Sequence, residues 1–268
     1  MDQLDGYAEF EWIQSGRRAL SPADGPVGAG VSVEHCLPAG FNRYLKLLHP
    51  IYEDLAVVDK KLTWDDVDRA ETAARRHEMT AERKRIDAIL RSSGAVTRQR
   101  TPTDSFVGRR VYWRELAEQW GRIYHPAITD RGFVPSLTSW PRYLVGPEEG
   151  NLEVGQRRIL ARTLAPLTGD QDCLFWWMTI FREEPMFTGS VVELPDAETV
   201  QKDRLSPNYV WPRDRSWCIC TDYDLCFTLI GGTHQVASVL LAEPELELLE
   251  VMLTTRVDYR ADDRNAPV

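Results

Sequence analysis

Residues 211–247 read WPRDRSWCICTDYDLCFTLIGGTHQVASVLLAEPELE, and this stretch decides the fold. Two short runs rich in apolar residues and cysteine, 217–221 and 226–230, flank the turn Asp222-Tyr223-Asp224. They predict an antiparallel hairpin. Gly231-Gly232 then makes a tight turn, and Thr233 stands where an N-cap belongs, ahead of an apolar-periodic run that reaches Ala242 and stops before Pro244. The unit reads as strand, turn, strand, helix.

Working outward, CLFWWMTIF at 173–181 is a nearly continuous apolar run of strand length with no helix breaker. It predicts a central strand buried on both faces, with the adjacent Trp176 and Trp177 on opposite sides. Short strands are expected at 191–194 and 248–253, and a frayed tail at 260–268. Upstream, 152–164 reads as a helix ended near Pro166 and Gly169, and 133–150 as a loop rich in Pro and Gly. A helix over 111–124 puts Trp113, Leu116, Ala117 and Trp120 on one face.

Thr63 with Asp66 three residues on resembles a capping box, so a helix is expected over 63–92. Its apolar stripe is thin, which suggests an exposed arm, and 92–104 follows as a linker. Nearer the start, 8–13 and 31–35 read as strands around a turn-rich loop at 21–30. Phe41, Tyr44, Leu45 and Leu48, spaced i, i+3, i+4 and i+7, read as a short helix entered at Leu37-Pro38 and closed by His49-Pro50. Hairpins outnumber any βαβ pattern. The expected class is α+β, a mixed, mostly antiparallel sheet flanked by helices. We expect a single domain over 1–268, with 63–110 as a helical basic insertion and linker.

The chain has 268 residues, enough for a sizeable core, and a net charge of −9. The charge is uneven. Residues 69–110 carry eleven Lys and Arg against five Asp and Glu, which leaves the remainder near −15. An acidic body repels nucleic acid and anionic membranes and suits a basic protein partner. Arg75, Arg76, Arg83, Lys84 and Arg85 in the basic arm are the one set that would reach nucleic acid, against the charge of the whole. No apolar run has membrane-spanning length, MDQLDGYAEF is not a signal peptide, and the odd count of five cysteines favours reduced thiols. The expected location is cytoplasmic.

Few motifs carry chemistry. Cys218 and Cys220 share one strand face and Cys226 returns beside them; with His234 they could close a zinc tetrahedron, although small buried thiols are also ordinary core residues. Asp222 and Asp224 could hold a divalent cation, or simply make the turn. Gly231, Gly232 and Thr233 precede a helix, where free amides could bind an anion; no phosphate-loop pattern accompanies them. His49 and His125 each precede a proline and could serve as bases or settle a helix C-terminal dipole. No metal or cofactor site is assigned. Trp211, Arg213 and Asp214 read as a polar loop carrying residue types that anchor interfaces.

Pro207, Asn208, Trp211, Pro212, Asp214, Arg215, Trp217, Cys218 and Thr221, then Asp224, Thr228, Gly231, Gly232 and Thr233, resemble the PNxxWPxDRxWCxxT and DxxxTxxGG[ST] segments of an uncharacterised bacterial protein family. Trp12-Ile13 and LPAGFNRYLKLLHP at 37–50 extend the likeness. It implies no catalytic residue. Leu37, Pro38 and Phe41 are similar to the helix entry of SMI1/KNR4-type (SUKH) immunity proteins, whose acidic members bind toxins. The expectation is therefore a non-enzymatic protein-binding protein with an immunity or regulatory role, using Trp211, Arg213, Asp214, Asp222 and Asp224. The alternative is a small-molecule or nucleotide-handling enzyme, with a metal at Asp222 and Asp224 or an anion at the Thr233 helix start.

Overall fold

The computed structural model describes residues 1–4, 8–20, 30–75, 108–134, 139–178, 183–199 and 205–265. The basic residues Arg76, Arg83, Lys84 and Arg85, the linker at 92–104 and most of the loop at 21–30 lie outside them, as does the side chain of Arg75. The chain folds as two compact units, 1–50 with 112–133 and 147–268, and 51–111 with 134–146. The described parts of 63–110 fall in the second unit. The fold is α+β.

The first unit is built on eight strands: β1 (Asp2–Leu4), β2 (Arg43–Leu48), β6 (Cys173–Met178), β7 (Glu183–Gly189), β8 (Tyr209–Pro212), β9 (Trp217–Cys220), β10 (Phe227–Gly232) and β11 (Leu248–Val251). They lie in the order β1-β7-β6-β8-β9-β10-β2-β11, and every neighbouring pair is antiparallel. The hairpin of β9 and β10 is as the sequence predicts, with Ile219 opposite Ile230.

Alternation along the central strands separates two buried faces. Leu45, Leu47, Phe175, Val210, Ile219 and Ile230 face one core, where helices α6 (Val154–Thr168) and α7 (His234–Leu241) add Leu160, Leu164, Val236 and Leu240. The one-turn-spaced apolar residues of each helix make the stripe that closes this side. The opposite face carries Tyr44, Lys46, Tyr209 and Trp211. There Phe10, which ends a short 3-10 turn (Ala8–Phe10), stacks on Trp176 with ring centroids 4.0 Å apart.

Several local expectations change. Residues 8–16 are helical, the 3-10 turn running into α1 (Glu11–Gly16), and α2 (Val33–Cys36) replaces the strand expected at 31–35. The expected helix at 41–48 is strand β2, buried on both sides, so apolar residues occupy nearly every position and mimic helical spacing. Residues 191–199 form a 3-10 helix (Val191–Thr199) rather than a strand. Pro166 sits inside α6 instead of ending it. Gly231 and Gly232 are strand residues without positive φ, not a tight turn. A Cβ at Gly231 would enter the Phe41 ring, and one at Gly232 would come within 2.7 Å of Val236 Cγ1. They are glycine because other groups approach closely. The tail at 260–265 is packed, with Asp262 and Asn265 buried.

Helix α4 (Trp113–Trp120) follows a motif the sequence hides. Glu247 accepts the backbone amides of Trp113 at 2.8 Å and Arg114 at 2.9 Å, so a carboxylate from across the unit caps the helix dipole. A one-turn helix α5 (Asp130–Phe133) completes this side.

The second unit contains β3 (Ile51–Asp54), β4 (Gly108–Val111) and β5 (Leu144–Val145) in the antiparallel order β4-β3-β5, and α3 (Trp64–Arg75). Asp66 Oδ2 accepts from Thr63 Oγ1 at 2.7 Å and from its amide at 2.9 Å, so the start of α3 is capped by the pair read from sequence. Arg142 stacks over Trp64 at 4.2 Å. Among the described residues no helix is long and apolar enough to cross a membrane.

Candidate functional site

The tip of the β9–β10 hairpin is held by its own chemistry. Asp222 Oδ1 accepts the Asp224 amide at 3.0 Å, so the first carboxylate makes the turn. Gly150, at φ +71°, lies under the tip, and a Cβ there would come within 2.7 Å of Tyr223 Cα. Tyr223 is thereby pushed outward and is 43% exposed. Burial raises both aspartates above the usual carboxylate range, and Arg131 pulls Asp224 back down.

Asp224 forms one side of a small cleft open to solvent. Asp130, Arg131, Glu149, Asp258 and Tyr259 also line it, with Leu225, Cys226 and Phe227 at its apolar base. Four carboxylates thus face one guanidinium. Asp258 is already engaged, bidentate with Arg256 at 2.8 and 2.9 Å and bound to the amides of Gly30 and Arg260. Asp130 accepts the Cys226 thiol at 3.6 Å. Arg131 lies 5.1 Å from the centroid of the 40% exposed Tyr259. Among the described residues the Asp224 carboxylate has no hydrogen-bonding partner.

Lys46 is fully buried on the same side of the sheet. Its ammonium donates to the Ile128 carbonyl and, at 3.4 Å, to that of Pro126, and it sits 3.9 Å from the Phe227 centroid. Burial pushes its pKa down to about 8 against the opposing pull of Cys226, Asp262 and Asp130. It anchors the chain that leads into α5.

The structure redistributes the other candidates. Trp211 is not in a polar loop: it is in strand β8 and wholly buried, so it has no exposed surface to offer a protein partner. Arg213 is exposed and 3.3 Å from Glu9. Asp214 exchanges hydrogen bonds with Gln171, and its Oδ1 accepts the Ser216 amide at 2.9 Å. Arg213 and Asp214 therefore belong to a different stretch from Asp222 and Asp224. The anion reading of Gly231, Gly232 and Thr233 is also corrected. The glycines are paired in the ladder between β2 and β9, Thr233 donates its amide to Ser216, and Thr233 Oγ1 accepts from Val236 at 3.2 Å as a plain N-cap.

Cys218, Cys220, Cys226 and His234 do not converge on one point, and Cys220 meets the Cys36 thiol instead. Cys218 and Cys220 are buried within β9, Cys226 turns to Asp130, and His234 is exposed on α7. No group of three His, Cys, Asp or Glu that could hold a metal ion occurs among the described residues. His49 follows a strand rather than a helix. It is fully buried, with Nδ1 2.6 Å from the Glu148 carbonyl and Nε2 3.0 Å from Thr228 Oγ1. Burial lowers its pKa to about 4.

Sequence reasoning located Asp222 and Asp224 but missed Asp130, Arg131, Glu149 and Tyr259. No spacing links these residues, because they come from separate segments. No family model, no curated protein and no solved structure matches this chain.

Proposed function

We propose that the protein is a non-enzymatic binding protein whose partner is basic, and that the cleft beside Asp224 receives a lysine or arginine side chain of that partner. The observation that carries this reading is the Asp224 carboxylate, partly desolvated and without a hydrogen-bonding partner among the described residues, on the lip of an acidic cleft. An incoming cation would supply the missing charge-assisted hydrogen bond. Tyr223 and Tyr259 offer the exposed aromatic surface that anchors interfaces, and the net charge of −9 would steer a basic partner into encounter. An immunity or regulatory role of the SMI1/KNR4 type is the biological form of this proposal. Its placement in the cytoplasm is supported by five free, buried cysteines. A metal-dependent enzyme at Asp222 and Asp224 draws less support, because Asp222 is engaged in the turn.

The test is photo-crosslinking in native cells from a reactive amino acid at position 223. The expected result is one dominant basic partner, captured by the wild-type chain and lost with Asp224→Lys, whose melting temperature stays unchanged. Capture that is indifferent to Asp224→Lys, or no crosslinked partner at all, overturns the proposal.

A further inference from the structure

Among the described residues, three indole N–H groups on one face of the large sheet lack an acceptor. Those of Trp12, Trp176 and Trp211 are shielded from solvent and have no hydrogen-bond partner, and Trp211 is wholly buried. Arg17 Nε is orphaned in the same way. Trp176, Trp211 and Arg17 meet around Phe10, and Trp12 packs on Trp211. Its ring stacks on Trp176, Trp211 lies 6.1 Å from it and 6.3 Å from Trp12, and the Arg17 guanidinium is 5.9 Å from its centroid.

Arg17 donates Nη1 to the Tyr209 hydroxyl at 2.6 Å, and no ion pair joins it to a carboxylate of the described residues. Arg215, exposed and at φ +59°, sets a second guanidinium 5.0 Å from the Trp12 centroid. Buried polar groups in native proteins are almost always satisfied, so a single orphan calls for an explanation. Here the orphans of one cluster are four donors, beside a cation that attracts the Asp222 carboxylate but makes no hydrogen bond to it. Their shared deficit is negatively charged oxygen, and the surrounding rings supply flat apolar walls.

We infer that the cluster of Trp12, Trp176, Trp211 and Arg17 is a binding site for an oxyanion, a carboxylate or phosphate borne by a small molecule with a flat apolar body. Arg17 supplies the charge, the indoles neutral donors, and Phe10 with the tryptophans the walls. Arg215 stands at the exposed side and draws the anion in. The site shares no lining residue with the acidic cleft, which selects the opposite charge.

The experiment follows the indole N–H signals of the folded chain by nitrogen-15 NMR, assigned with Trp12→Phe, Trp176→Phe and Trp211→Phe. Inorganic phosphate and benzoate are titrated separately, with chloride as the ionic-strength control. We expect saturable movement of at least two of the three signals with one probe. Phosphate alone marks a phosphate site, benzoate alone an aromatic carboxylate site. Arg17→Gln should weaken that binding about tenfold. Because Arg17 also holds Tyr209, the exposed Arg215→Ala provides a second variant, expected to weaken binding several-fold without moving the melting temperature. Signals that stay fixed with both probes, that follow chloride equally, or that show only contacts to bound water overturn the inference.

Discussion

His125 Nε2 lies 2.8 Å from Asp262 Oδ1, and the same carboxylate accepts the backbone and side-chain amides of Asn265 at 3.0 Å each. Asn265 in turn bonds the amide and carbonyl of Ile123, so one buried acid ties residues 122–125 to residues 262–265. Asp262→Ala should strand these donors and cost about 2–4 kcal/mol. Asp263→Ala, at the exposed neighbour, should stay within about 0.5 kcal/mol of wild type. Urea denaturation with coincident midpoints for the two variants would contradict this account.

Acid should destabilise the protein through His49. Its pKa falls from the ordinary 6.5 to about 4 on folding. The unfolded chain therefore binds the proton first, and stability is lost as pH falls from about 6.5 to about 4. The full loss from this group is about 3 kcal/mol. His49→Gln retains a donor and an acceptor for Glu148 and Thr228 but cannot titrate. Its stability should be flatter across that window, and parallel pH profiles for both proteins would remove His49 as the cause.

Gly150→Ala and Gly121→Ala separate backbone strain from contact. Both glycines have positive φ, +71° and +62°. A Cβ at Gly121 meets nothing within 4 Å, whereas one at Gly150 strikes the backbone of Tyr223. Gly121→Ala should cost about 1 kcal/mol and Gly150→Ala about 2–4 kcal/mol. Equal shifts in thermal melts would show that the tip yields freely.

The five thiols should be silent in the folded state. All are buried, and burial pushes Cys173 up to about 12 and Cys218 and Cys226 well above the ordinary thiol range. Thiolate is the reactive form, so an aromatic disulfide reagent at pH 8 should label fewer than one thiol rapidly, and all five only in denaturant. Rapid native labelling of Cys226 would show that the cleft opens onto it.

The hairpin and helix at 217–242 were legible because turn, strand and cap signals agree there. Strand β2 was not, because Leu45, Leu47 and Leu48 are buried beside Tyr44 and Lys46 on a strand covered on both faces. Two-sided burial erases alternation, and Phe41, Tyr44, Leu45 and Leu48 fall by chance on helical spacing. Trp211-Pro212-Arg213-Asp214 hid a boundary: its first two residues end a strand and its last two are surface. The cleft was half legible. Turn chemistry exposed Asp224, whereas Asp130, Glu149 and Tyr259 reach the cleft only through tertiary packing.

The seating of Tyr223 over Gly150 fixes the hairpin tip before any partner arrives. A preformed tip needs no folding step on contact, so binding of the proposed basic partner at Asp224 should be governed by diffusion and long-range attraction. Added salt would then slow association far more than it hastens release.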